Sequence, residues 1–282
     1  MKHLIIILSL FLFSSTFISC KSSDDGSKST DNTTTSPWTT KQLGTTSRDI
    51  GIGVTTDSSD NIYVTGYTLG ELDGNTNSGG RDIFLLKYTS IGTKQWTKQL
   101  GTFSIDSGNG VTTDSSGNIY VTGDTLGDLD GNTNSGGEDI FLIKYNSSGT
   151  KQWTKQLGTS STDIGIGVTT DSSGNIYVTG YTLGDLDGNT SSGGDDIFLV
   201  KYDSSGTKQW TKQLGTSSGD YGNDVTTDSS DNVYVTGYTG GGLDGNTSSG
   251  NHDIVLVKYN SSGTKQWTKQ LGTSSGDYGN DV

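Results

Sequence analysis

Three features of the 282-residue chain predict an all-β fold, a β-propeller of about four four-stranded blades with incomplete or strained closure. The first is a strict period. Trp96, Trp153, Trp210 and Trp267 each open a WTKQLG core 57 residues after the last, and Trp38 opens a core one threonine longer 58 residues before Trp96. The second is a fixed internal order: GVTTDSSGNIYVTGYT, LDGN, SGG-x-DIFLLKY and GTKQW follow one another in every period. The third is the pairing of β-branched and aromatic runs with turn-forming tetrads, which marks strands rather than helices. Repeats of this size bury their apolar faces against neighbouring copies, so residues 38–282 form one array.

The chain opens on an export pattern. Lys2 supplies a positive start and Leu4 to Phe13 an apolar stretch too short to span a bilayer, so residues 1–19 read as a signal peptide. Cys20, the single cysteine, closes Phe17-Ile18-Ser19-Cys20. That tetrapeptide resembles the lipobox of bacterial lipoproteins, which implies a lipidated Cys20 and a membrane anchor at the outer membrane or cell surface. A plain signal peptide with an incidental cysteine is the alternative. A lone cysteine cannot form an internal disulfide. Residues 20–37 then read as the lipidated cysteine and a flexible tether: 21–37, KSSDDGSKSTDNTTTSP, carries no large apolar side chain and has a reach of about 20–25 Å.

Within the second copy, four strands are predicted at Gly110 to Asp114, Asn118 to Thr125, Asp139 to Tyr145 and Thr150 to Leu157. Asp114-Ser115-Ser116-Gly117-Asn118 and Asn146-Ser147-Ser148-Gly149 are the tight turns between them. Four antiparallel strands per period is the size of a propeller blade. Trp and Tyr at fixed places inside strands point to packing between blades rather than to sugar stacking.

GVTTDSSGNIYVTGYT and DIFLLKY resemble the bacterial β-propeller repeat of SBBP-type proteins over residues 38–282. The resemblance implies the propeller fold and a cell-surface setting, and no particular reaction. Trp267 to Val282 copies Trp210 to Val225 residue for residue. The expectation is therefore four blades in an open or strained arc whose ends invite self-association.

The net charge of −13 and the lack of clustered Lys and Arg argue against nucleic acid. Strand order would put Asp73, Asp130, Asp187 and Asp244 with Asp49, Asp106, Asp163 and Asp220 on one face. Lys87, Lys94, Lys144, Lys151, Lys201, Lys208, Lys258 and Lys265 would fall on the other. The loop Asp128-Leu129-Asp130-Gly131-Asn132 resembles the first half of a calcium loop, where alternate oxygens converge on a hard cation. The candidate ligands for a structural calcium are Asp73, Asn75 and Asp82; Asp128, Asp130, Asn132 and Asp139; Asp185, Asp187, Asn189 and Asp196; and Asp244, Asn246 and Asp253. Asp-Gly turn chemistry accounts for much of the same sequence without a metal.

Beyond the signal, His252 is the single histidine, so no His-based triad or zinc cluster can form within the mature chain. Near-identical copies argue against catalysis, which needs unlike residues from different blades at one centre. The reading is a surface-anchored binding or scaffold module for extracellular proteins or glycans. A propeller hydrolase or lactonase, and a truncated copy with no independent role, are the rivals.

Overall fold

The computed structural model describes residues 42–282; residues 1–41, with Cys20 and Trp38, lie outside the described residues. Blade 1 consists of β1 (Asp49–Thr56), β2 (Ile62–Thr68), β3 (Asp82–Tyr88) and β4 (Lys94–Leu100). Blade 2 has β5 (Asp106–Thr113), β6 (Ile119–Thr125), β7 (Asp139–Tyr145) and β8 (Lys151–Leu157). Blade 3 has β9 (Asp163–Thr170), β10 (Ile176–Thr182), β11 (Asp196–Tyr202) and β12 (Lys208–Leu214). Blade 4 has β13 (Asp220–Thr227), β14 (Val233–Thr239), β15 (Asp253–Tyr259) and β16 (Lys265–Leu271). Each is a four-stranded antiparallel sheet in simple sequence order. No helix among the described residues is long and apolar enough to cross a membrane.

The predicted strands hold to within a residue except the innermost, which starts at Asp106 rather than Gly110. The cause is the DSGNG sequence. Glycine and asparagine have poor strand propensity, and the register shifts between Gly108 and Gly110, leaving Asn109 without a partner on β6.

The turn from the first to the second strand is built by its aspartate. Asp114 Oδ1 accepts from Ser116 N (2.9 Å) and Asn118 N (2.9 Å), and Tyr120 donates its hydroxyl to Asp114 Oδ2 (3.0 Å). An Asx turn is thereby tied to a fully buried tyrosine.

Blades meet through apolar faces. Tyr63, Ile83 and Leu85 of blade 1 pack against Val111, Val121, Phe141 and Ile143 of blade 2, with Trp96 at the margin. The same seam recurs between blades 2 and 3 and between blades 3 and 4. Each buried Leu, Ile or Phe contributes about 1.5–3 kcal/mol relative to exposure. At the perimeter the next blade's turn seats on the indole: a Cβ at Gly149 would lie 2.9 Å from Trp96, and its φ of +77° also favours glycine. Lys87 passes over the Tyr63 ring at 5.2 Å and donates to Ser147 O (3.2 Å) of the following blade.

The inner strands β1, β5, β9 and β13 stand side by side in that order. The segment after β16 takes the next place. Asp277 N donates to His252 O (2.8 Å) as Asp220 N does to Asp195 O (2.6 Å), and Asn223 Nδ2 reaches Gly279 O (2.7 Å) as Asn109 Nδ2 reaches Gly165 O (2.8 Å). Five inner segments therefore line one axial cavity of about 260 Å³.

Candidate functional site

The LDGN loops do not form the face expected of them. Each leaves the second strand, turns at a buried leucine (Leu72, Leu129, Leu186, Leu243) and runs down the outside of the fourth strand. Gln99 on β4 receives the Leu72 N–H (2.9 Å), and Thr97 donates to Asp73 (2.8 Å). Asp73 then reaches Lys94. Asp130 pairs likewise with Lys151, Asp187 with Lys208, and Asp244 with Lys265 (2.6 Å). The Lys94 contact first, and the Thr97 bond second, hold the Asp73 carboxyl below its usual range. The loop acids thus meet the lysines assigned to the opposite face. Asp106, Asp163 and Asp220 are fully buried, so the expected separation of acidic and basic faces does not form among the described residues.

The same geometry disperses the candidate calcium ligands. Asn75, Asn132, Asn189 and Asn246 turn their amides back to Leu72, Leu129, Leu186 and Leu243 O (2.8 Å each). Asp82, Asp139, Asp196 and Asp253 are buried at the far end of the loop, each accepting from a glutamine of the fourth strand (3.0, 3.0, 2.8 and 2.7 Å). Asp128 accepts from Asn134 N and Asp185 from Ser191 N (2.7 Å each). No group of three or more acidic, histidine or cysteine side chains that could hold a metal occurs among the described residues.

A different set of residues comes together at the mouth of the axis. The copies are nearly identical, yet several columns of the repeat change chemically, and four of these meet here. The residue before the first strand is Arg48, Ile105, Thr162 or Gly219, and the second residue of that strand Ile50, Ser107, Ile164 or Tyr221. Near the end of the second strand stands Tyr67, Asp124, Tyr181 or Tyr238, and before the third Arg81, Glu138, Asp195 or His252. Register unites two of these columns, since Tyr67 faces Ile50, Asp124 faces Ser107, Tyr181 faces Ile164 and Tyr238 faces Tyr221.

On blades 3 and 4 this ring is aromatic. Tyr181 meets Tyr221 edge-on (4.9 Å between centroids), Tyr221 stacks on Tyr238 (4.7 Å), and Tyr238 meets Tyr278 (4.9 Å) and His252 (5.3 Å). Tyr221 donates its hydroxyl to Asp195. Burial, with Asp195 and Asp124 nearby, pushes the Tyr181 phenol up to about 12. On blade 2 the half-buried Asp124 accepts one bond, from Asn109 (2.9 Å). Burial raises its carboxyl to about 6, with the Glu138 and Asp106 charges adding and the Asn109 bond and Arg81 opposing. Deeper in the cavity, Asp224 and Asp281 replace the glycines that blades 1–3 carry at Gly53, Gly110 and Gly167. Burial first, then the hydrogen bond shared with Asp281, raises Asp224 to about 6.

None of these residues was singled out from the sequence except His252. The signal that marks them is divergence between copies, read column by column.

Four segments, residues 40–73, 95–130, 152–187 and 209–244, match the SBBP β-propeller repeat. An uncharacterized WD repeat-containing protein of Acanthamoeba polyphaga mimivirus is 28% identical over 237 residues, covering 66% of this chain and 17% of its own length. Regulatory protein FlaEY of Caulobacter vibrioides is 27% identical over 191 residues, covering 60% of this chain and 20% of its own. The chain thus spans a fifth or less of these relatives. Among solved structures, a gluconolactonase from Xanthomonas campestris aligns at 11% identity and a TM-score of 0.42, over 79% of this chain and 62% of that one. A GH43 endo-arabinanase from Bacillus licheniformis aligns at 13% identity and 0.40, over 82% and 80%. These likenesses are too distant to bear on activity.

Proposed function

The chain belongs to the SBBP β-propeller repeat family, and from that premise we propose a non-catalytic binding or scaffold module that engages an extracellular protein or glycan at its axial face. One observation carries the reading: copies that agree almost everywhere diverge in charge and aromaticity where four blades meet. Half-buried tyrosines with an apolar face and a polar tip suit such recognition. Export and anchoring through a lipidated Cys20 would hold this face outside a membrane. Self-association belongs to the same proposal: Val54 is 69% exposed on a strand position that blades 2–4 bury at Val111, Val168 and Val225.

Residues 38–282 applied to glycan and matrix-protein arrays test the binding role. Tyr221→Ala with Tyr238→Ala should abolish the signal, and binding that survives both changes would move the site elsewhere. Cys20→Ser should release the protein from membranes into the soluble fraction; retention of the variant would end the anchor proposal.

A hydrolase remains the second reading because Asp224 and Asp281 place two carboxyls in hydrogen-bond contact on the axis, an arrangement that raises Asp224. Turnover of ester, lactone or glycoside substrates that disappears in Asp224→Asn would establish it.

A further inference from the structure

The chain contains two arginines, and the fold brings both to one ring. The Arg81 guanidinium lies 4.5 Å from the Tyr67 centroid and that of Arg48 5.9 Å away. Arg48 precedes β1 and Arg81 precedes β3, so different loops of blade 1 supply them. Arg48 is exposed and Arg81 half-buried. Among the described residues all five carboxylate ion pairs are made by lysines, and neither arginine makes one. No other blade has two cations in these columns.

Arg48 and Arg81 flank the strand of Tyr67 from its two neighbours, and two guanidinium groups approaching one ring raise a local positive potential that a bound anion lowers. Tyr67 offers each a cation–π contact, which orients them without neutralising either. Guanidinium forks match planar or tetrahedral oxyanions in bidentate geometry. Their surroundings restrict the ligand further. Arg81 acts on Asp124, whose carboxyl also feels Glu138. Those carboxylates repel a densely charged polyanion, while they accept hydrogen bonds from sugar hydroxyls. The tyrosines of blades 3 and 4 supply aromatic faces farther round the same ring.

We propose that Arg48 and Arg81, oriented on Tyr67, form an oxyanion subsite that takes the carboxylate of a sparsely charged acidic oligosaccharide. This rests on the axial face being the binding face. The ligand class is a glycan carrying an isolated uronate among neutral sugars, rather than a continuous polyuronate.

The test uses a xylo-oligosaccharide bearing one glucuronate, its carboxyl-reduced counterpart, and polygalacturonate, titrated by calorimetry against the full chain. The native protein should bind the uronate form about tenfold or more tighter than the reduced form, the scale of a lost charge-assisted contact. That preference should weaken with salt. R48Q/R81Q should erase the preference while the variant still binds the reduced form, and R48K/R81K should restore part of it by charge without the fork. Equal affinity for both forms, a preference that survives R48Q/R81Q, or tighter binding of polygalacturonate would overturn the proposal. Two results separate this failure from failure of the axial reading. If both forms bind equally and Tyr221→Ala with Tyr238→Ala abolishes both, the axial face stands and the oxyanion subsite falls. If neither form binds, the glycan class itself is wrong.

Discussion

Asp163, where the chain passes from blade 2 to blade 3, accepts from Thr159 N (2.6 Å), Thr159 Oγ1 (2.9 Å) and Thr182 Oγ1. Asp124, at the axial mouth, accepts a single bond from Asn109 (2.9 Å). Burial raises both carboxyls, but the threonine bonds oppose it at Asp163, and the same partners recur around Asp106 and Asp220. Asp124 has no equivalent in the other copies. Repeated acids are satisfied by their own repeat. The singular acid keeps oxygen lone pairs unspent, which is where an incoming hydroxyl or ammonium would act.

Substitution should separate the two sharply. Asp163→Ala leaves the Thr159 amide and Thr182 hydroxyl without their acceptor in a buried place and should cost about 3 kcal/mol, read by thermal or denaturant unfolding. A loss below about 1 kcal/mol would show that water or a neighbour replaces the carboxylate. Trp153→Ala empties the seat under Gly206 and should cost about 2 kcal/mol, less than a fully buried indole because Trp153 is half-buried.

Asp124→Asn should act in the opposite direction. Its folded value of about 6 exceeds the unfolded carboxylate value of about 3.9, so the folded protein binds the extra proton between those limits. Stability from this group is greatest at low pH and declines as pH rises through that window. Asp224 has the same sign. The unfolding midpoint of Asp124→Asn should therefore change less between pH 4.5 and 7.5 than that of the native chain; an unchanged slope would remove Asp124 as a contributor.

The smallest effect belongs to the loops. Lys151→Ala breaks a partly exposed pair with Asp130 and should cost less than about 1 kcal/mol. With the loop acids engaged by lysines, millimolar calcium should leave the midpoint where it was. A rise with calcium that Asp73, Asp130, Asp187 and Asp244 changed together to Asn abolish would restore those loops as ion sites.

Blade number, strand order, turns and the packing role of Trp153 were legible in the sequence because they depend on contacts within one period or with the next. The course of the LDGN loop was not. Connectivity says which end of a strand a loop leaves, but not that Leu72 would dock on Gln99 and carry Asp73 down to Lys94. The axial ring was also hidden, since Arg48 and Arg81 differ from their counterparts in the other copies and meet Tyr67 only through the register of three strands. Averaging over copies suppresses such positions, whereas comparing the copies with one another exposes them.

The contacts that join blades span nearly constant stretches of chain: 60 residues from Lys87 to Ser147, 57 from Thr113 to Thr56, and 56 from Asn109 to Gly165. Each joint therefore needs only two successive copies, whichever two they are. Recombination that slips by one period would delete or insert a blade while every remaining joint keeps its chemistry. The mouth of the axis obeys no such rule, because the identity of a residue there matters through its neighbours around the circle. A slip that leaves the wall intact would set Arg81 beside a different partner and give the molecule a new surface in one genetic step.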